Sequence, residues 1–552
     1  MALRHGGKIL VDQLEINGAK AAFTVPGESF LAALDGLHGA GVETIICRQE
    51  GGASMMAEAY GKATGTPGLC FVTRGPGLAN AMAGLHVAQQ DSTPMILFLG
   101  LPALDTEDRE AFQEVETKSL LGTFVKWVGV IRDIKRIPEY VSRAYHVSMS
   151  GRPGPVVLGL PEDMLSAEAE VADAKPAKVP ESAPAAGDMV ALKAALEKAE
   201  RPLMIVGGPR WSADIQKQVQ SFAERNDLPV ASAFRYQDYF DNRHRCYAGC
   251  AGIGIDPKLS AAIKAADLLI VVGARMGEMT TSGYTLLDIP NPKQTFVHVH
   301  PSGDELGSVY RADLPIVSGA AGFASALSGL NIAANPKWKA HTAALREAAV
   351  AYRKPITTPG NVKLEQVMLA VSEMLPEDAI VTNGAGNYAA FLHRYFEYKG
   401  YRNGISPTSG SMGYGLPAAI GAKVADRSKT VVNFAGDGCF MMTCQELATC
   451  MQYDLPIVTV LVNNGMYGTI RMHQEREYPA RVSGTKLTNP DFAAFARSFG
   501  GHGETVTETA QFKPAFERAL KSGKPAIVEV KTDQEAISVG RTITQLRAAH
   551  GK

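Results

Sequence analysis

The stretch Gly436–Asn464 reads GDGCFMMTCQELATCMQYDLPIVTVLVNN, and an apolar run, Thr430-Val431-Val432-Asn433-Phe434-Ala435, leads into it. A helical segment follows Gly436-Asp437-Gly438, and a second apolar run, Ile457 to Val462, ends at Asn463-Asn464. The pattern predicts strand, tight turn, helix and strand, which is one βαβ unit. Both polar clusters fall at the carboxyl ends of their strands, where open α/β sheets bind ligands. Asp437 offers a carboxylate and Asn464 a carbonyl oxygen, both hard ligands suited to Mg²⁺. Gly436 and Gly438 let backbone N–H groups approach a phosphate with no Cβ in the way. A metal and a diphosphate are the first expectation. GDG alone is a common turn; the pairing with Asn463-Asn464 is the more specific signal.

At 552 residues the chain is too long for one core, and three domains are expected. Hydrophobic residues make up 46% and charged residues 20%, as in a water-soluble globular protein. A net charge of −1 gives no electrostatic footprint for nucleic acid or an anionic membrane. No apolar run reaches membrane-spanning length, and the amino-terminal residues lack a signal-peptide core. The seven cysteines form no CxxC pair, so buried free thiols in a reducing compartment are expected, and with them a cytoplasmic protein.

Apolar runs recur along the first part of the chain: 21–25, 44–47, 68–72, 94–99 and, between breakers, 151–161. Their alternation with helical segments predicts a parallel sheet with helices on both faces. Glu50 closes Arg48-Gln49-Glu50 after the second run, and Ala53 to Ala63 reads as a helix. A carboxylate there suits either a helix cap or a catalytic acid. Residues 166–188 are rich in Ala, Pro and Glu and read as a linker. Runs at 202–208, 268–273 and 295–300 predict a second doubly wound unit. Residues 334–360 read as a charged helical connection, after which Ala379–Asn383 and the stretch from Thr408 open the third unit. The expected fold class is therefore α/β, with three doubly wound parallel-sheet domains at 1–165, 189–333 and 361–540. A nicotinamide- or flavin-binding oxidoreductase would need an intact GxGxxG after a strand, and none occurs.

GDG, 24 intervening residues and NN resemble the signature of thiamine diphosphate-dependent enzymes. The resemblance implies that Asp437 and Asn464 ligate Mg²⁺ by side chains and Met466 by its carbonyl. Gly436, Gly438, Tyr467 and Gly468 become cofactor-binding positions beside them. The stretch RQEGGASMMAEAYGKATG resembles the family's pyrimidine-side motif, which gives Glu50 the contact to N1′ of the aminopyrimidine ring. Gly410 would accept the 4′-amino hydrogen through its carbonyl. Met412, which alone reads as core, would sit beneath the cofactor and bend it into a V. Thr73–Gly77 matches a turn used near the cofactor.

Ala111-Phe112-Gln113-Glu114 is similar to the acetolactate synthase group, where the matching Phe and Gln line the substrate pocket. Lys126 falls where that group carries an active-site lysine. Read alone, Gln113 and Lys126 are solvated surface residues. FAD occupies the middle domain of flavin-containing members, and Arg275 matches an arginine used there. The acids usual at the end of the later strand are missing, replaced by His298-Val299-His300-Pro301-Ser302, which argues against FAD. His473 stands where biosynthetic members have a tryptophan, and their longer carboxyl-terminal tail is missing. No His-His pair of the kind simple pyruvate decarboxylases use occurs. The implied function is decarboxylation and carboligation of 2-oxo acids by a homodimer or homotetramer, two pyruvates giving 2-acetolactate and carbon dioxide. A 2-oxo acid decarboxylase or 2-hydroxyacyl-CoA lyase of the same family is the alternative, and a non-catalytic homologue a remoter one.

Overall fold

Six parallel strands form the first sheet, in the spatial order Glu43–Ile46, Ala21–Thr24, Gly68–Thr73, Met95–Leu101, Pro155–Pro161, Trp127–Val130. The third sheet has the same order of connection: Gly404–Ile405, Ile380–Asn383, Val431–Gly436, Ile457–Asn463, Ala526–Lys531, His502–Val506. Numbered within each domain, both run 2-1-3-4-6-5. The middle sheet runs 3-2-1-4-5-6, the order of a Rossmann unit, from Tyr247–Cys250 to Leu314–Val317. This computed structural model describes residues 2–332 and 336–549.

The strands are continuous Val/Ile/Leu runs because helices cover both faces of each sheet. Val460 and Leu461 are fully buried, and each such side chain contributes about 1.5–3 kcal/mol of transfer free energy. The first and third domains share one core. Helix Glu50–Thr64 lies against helix Gly415–Ala425, so closely that a Cβ on Gly421 would come within 2.3 Å of the Met56 carbonyl oxygen. The head of the second helix meets the far half of the first, where the Tyr414 hydroxyl donates to Glu58.

Several local expectations change. The helix expected over 53–63 begins at Glu50, because the Gln49 side chain accepts from the Gly52 N–H and caps it. Glu50 therefore sits in the first helical turn rather than ahead of the helix. The turn expected at Thr73–Gly77 is the end of a strand and the start of helix Arg74–Asp91, with Arg74 at φ +38°. The stretch read as a linker from 166 contains Glu168–Glu170, which pairs antiparallel with Leu3–His5, and the next helix already starts at Ala186. Glu-Ala-Glu carries no strand signal of its own; pairing with the start of the chain creates it. The single helix expected after Gly438 is broken into Asp437–Phe440, Cys444–Glu446 and Leu447–Gln452. Helix Pro336–Tyr352 forms the connection ahead of the third domain, of which residues 334 and 335 lie outside the described residues.

Candidate active site

In the third sheet the connection order reverses between Ile380–Asn383 and Val431–Gly436. Their carboxyl ends frame a crevice, the usual ligand position in such a sheet. A cleft of about 270 Å³ opens there, lined by Gly410, Met412, Gly436, Asp437, Gly438, Asn464, Met466, Tyr467 and Gly468. The nine residues come from three separate segments. Gly436 ends a strand, Asp437 starts a one-turn helix, and Gly468 starts helix Gly468–Glu477. Gly410 lies in the loop ahead of helix Gly415–Ala425, at φ +69°, and Met412 is half-buried in the same loop. Gly438 has to be glycine, since a Cβ would lie 2.6 Å from the Tyr467 ring.

Asp437 is 3% exposed. One carboxylate oxygen accepts from the Gly438 N–H at 2.9 Å, and the other from the Gly465 N–H at 2.9 Å and Asn489 Nδ2 at 2.7 Å. Burial pushes the Asp437 carboxyl above its ordinary value against those hydrogen bonds, which pull it down. A divalent cation at the carboxylate would reverse that balance. The Asn464 side-chain oxygen Oδ1 accepts from the Met466 N–H at 3.2 Å, and Met466 lines the same cleft. Among the described residues no group of three or more His, Cys, Asp or Glu side chains could hold a metal ion. The donor set offered by the cleft is different: the Asp437 carboxylate and the Asn464 amide oxygen, with Met466 beside them. It fits a hard cation that takes its remaining oxygens from a diphosphate and water. The start of helix Gly468–Glu477 adds N–H groups that favour an anion.

Glu50 does not line this cleft. It is half-buried at the carboxyl edge of the first sheet, where Asn80 Nδ2 donates to it at 2.9 Å. Gln113 lies on the same edge, at φ +61°, its carbonyl accepting from the Gly75 N–H at 3.0 Å. Phe112 beside it is 70% exposed, with the Arg74 guanidinium 5.6 Å from its ring centre. Lys126 is elsewhere. It precedes strand Trp127–Val130 at the amino edge of the sheet, and its ammonium donates to the Val147 and Ser150 carbonyls. One chain therefore brings Gln113 to the edge that carries Glu50 and leaves Lys126 at the opposite edge.

Residues unmarked in the sequence reading also shape the cleft. Asn489 bridges Asp437 and Asn463, with Nδ2 also 3.0 Å from the Asn463 side-chain oxygen. Ala536 and Ile537 form part of the wall, and Asn387 Nδ2 holds the Ile537 carbonyl at 2.7 Å. Helix Ile543–Ala549 then packs back on Gly468–Glu477, where Arg547 grips the buried Glu475 through two hydrogen bonds of 2.6 and 2.7 Å.

The same three-part arrangement is found in known proteins. Residues 4–120 match the thiamine pyrophosphate enzyme N-terminal TPP binding domain, 190–327 its central domain and 384–530 its C-terminal TPP binding domain. The acetolactate synthase large subunit of Parasynechococcus marenigrum is 34% identical over 547 residues, 95% of this chain and 87% of that protein. The chain belongs to the thiamine pyrophosphate enzyme family. Acetolactate synthase isozyme 2 large subunit of Escherichia coli is 30% identical over 534 residues, 96% of each chain. The Lactococcus lactis acetolactate synthase large subunit is 31% identical over 90% of this chain and 87% of its own length. As a thiamine pyrophosphate enzyme the chain carries the N-terminal TPP binding domain around its first sheet and the C-terminal one around its third.

Proposed function

We propose that the protein is a thiamine diphosphate- and Mg²⁺-dependent carboligase that decarboxylates one 2-oxo acid and joins the fragment to a second. Two pyruvates would give 2-acetolactate and carbon dioxide. The observation that carries this reading is the single cleft gathering Asp437, Asn464 and Met466 on one side and Gly410 and Met412 on the other. Asp437, Asn464 and the Met466 carbonyl would hold Mg²⁺ and with it the diphosphate. The Gly410 carbonyl would accept a hydrogen from the 4′-amino group, and Met412 would support the rings. Glu50 would hold the proton at N1′, and Gln113, on the same sheet edge, would face substrate. When bound, thiamine diphosphate supplies a nucleophilic carbon and an electron sink for loss of carbon dioxide.

Glu50 reaches a cofactor only across a dimer interface, and the apolar surface supports that assembly. Leu31 and Phe112 are exposed on the Glu50 edge; Met441, Met442, Ile470 and Tyr478 are exposed around the diphosphate cleft. Two copies facing each other would cover both sets, and a pair of such dimers would make a tetramer. The seven cysteines are free, which suits a cytoplasmic location. Among the described residues no helix is long and apolar enough to cross a membrane.

We infer that the middle domain works without FAD. Arg275 Nε donates to Glu305 at 3.2 Å and its Nη1 to the Gln90 carbonyl at 3.2 Å, so the guanidinium is committed within the protein. His300 ends its strand where an acid would meet a ribose, and burial pushes its imidazole down to about 4. The protein is expected to purify colourless; FAD released on denaturation, measured by its absorbance, would contradict this.

His473 is exposed on helix Gly468–Glu477 and lines a larger cavity reaching from Gly410 to the middle domain. The acceptor would approach through that cavity. The test is to incubate the protein with thiamine diphosphate, Mg²⁺ and pyruvate and identify products by mass spectrometry. Acetolactate supports the reading. Acetaldehyde as the main product favours the decarboxylase alternative.

A further inference from the structure

Three consecutive residues ahead of Gly410 are each held by a charged side chain from another part of the chain. Lys62 Nζ donates to the Ser406 carbonyl at 3.0 Å. Arg235 donates from Nη1 to the Pro407 carbonyl and from Nη2 to the Gly384 carbonyl, the latter at 3.0 Å. Asp91, whose side chain is fully buried, accepts from the Thr408 N–H at 2.9 Å and from the Thr408 hydroxyl. Lys62 and Asp91 also pair with each other, and Lys62 lies 3.1 Å from the buried Glu58, which takes a 2.5 Å hydrogen bond from the Tyr414 hydroxyl. Buried charges are costly unless each is paired. Such a group ahead of a short loop needs a reason.

Arg235 is the least expected member. It comes from the middle domain, just after strand Val230–Ser232. Its backbone is at φ +65°, a region that residues with side chains rarely adopt, and its Nε is buried with no hydrogen-bond partner among the described residues. Strain of this kind persists where the surroundings hold it in place, and it clusters at functional sites. The Pro407 carbonyl that Arg235 grips also accepts the N–H of Gly410, at 3.0 Å. The other carbonyl, of Gly384, opens the turn to Asn387, and Ala385, Gly386 and Asn387 line the diphosphate cleft. Arg235 thus ties the loop ahead of Gly410 to the turn that begins at Gly384, and both line the cleft.

We propose that Arg235 is a positioning residue: its planar fork fixes the spacing between the Pro407 and Gly384 loops and so sets Gly410 and Met412 against the aminopyrimidine ring. This rests on the reading that Gly410 and Met412 meet that ring. A guanidinium offers two N–H donors in a fixed geometry, whereas a lysine ammonium is a compact point charge on a flexible stem. The middle domain therefore contributes to the chemistry through two hydrogen bonds to backbone.

The test compares wild type, Arg235→Met and Arg235→Lys by three readouts. Calorimetry gives the affinity for thiamine diphosphate with Mg²⁺. Amide hydrogen exchange over residues 406–412 is measured in the apoprotein. Hydrogen–deuterium exchange at C2 of the bound cofactor is followed by NMR. In Arg235→Met the affinity should stay within a few-fold of wild type, because Asp437, Asn464 and Met466 are untouched. Amides in 406–412 should exchange faster, and C2 exchange should slow by about 10²-fold, the cost of a misplacement near 1 Å. Arg235→Lys should resemble Arg235→Met. Wild-type C2 exchange in Arg235→Met would overturn the proposal, as would full rescue by lysine. Joint collapse of affinity, melting temperature and C2 exchange would also overturn it, since the arginine would then serve folding alone. A wild-type protein that binds no thiamine diphosphate would contradict the function reading instead; unchanged apoprotein amide exchange in Arg235→Met would still overturn the arginine's hold on the loop.

Discussion

Replacing Asp437 by alanine is expected to weaken binding of Mg²⁺ and thiamine diphosphate by at least about a hundredfold, the upper end of what loss of a metal ligand's supporting partner costs. Asp437 is the one carboxylate among the residues proposed to hold the metal, and a hard cation there would anchor the cofactor. The buried carboxylate is oriented by Gly438, Gly465 and Asn489, so its loss removes the acceptor shared by all three donors. Asn489→Ala should weaken binding less, by about 10–100-fold, because it removes an orienting partner and not the ligand. Isothermal titration of both variants checks the order. Unchanged affinity in Asp437→Ala would remove that residue from the site.

Glu50→Gln is expected to lower turnover by about 10²–10⁴-fold, the usual contribution of a positioned acid–base group. Glutamine keeps the shape and the hydrogen bond to Asn80 but cannot give up or take a proton at N1′. The first sheet and helix Glu50–Thr64 should be undisturbed, since the cap comes from Gln49. Cofactor affinity should change by no more than a few-fold. Steady-state kinetics beside calorimetry separates the two effects. A Glu50→Gln protein with wild-type turnover would make Glu50 a helix-terminal acid and nothing more.

The arrangement around Asp437 was legible because its signals are local. Buried parallel strands read as unbroken apolar runs, glycine marks the turn that follows, and the fixed spacing from GDG to NN ties two strand ends together. The place of Glu50, an acid at a strand's carboxyl end, was legible too, but position alone fits a helix cap as well, and its proposed role comes from the resemblance. Asn489 was not, because its contact with Asp437 spans 52 positions and nothing local tells which carboxylate an Asn-Pro loop will reach. Arg235 is harder still, at 172 positions from Pro407. Its neighbours, Ala-Phe-Arg-Tyr-Gln, carry no pattern that marks a loop clamp. The strand Glu168–Glu170 was missed because an edge pairing with the start of the chain depends on the partner and not on its own composition. Lys126 was placed with the site by resemblance. The structure of one chain ties it to the carbonyls of Val147 and Ser150, because it precedes its strand and so faces the amino edge.

The central claim is that one cofactor is held between the third domain of one chain and Glu50 of another. Mixing Glu50→Gln with Asp437→Ala tests it most directly. Each variant alone should be nearly inactive. A mixed dimer would contain one site with both defects and one with neither, so an equal, freely exchanging mixture should recover about a quarter of wild-type turnover. Mass spectrometry of the intact dimers would verify the mixing. No recovery with mixed dimers present would mean that Glu50 serves its own chain's site or none, and would contradict the account.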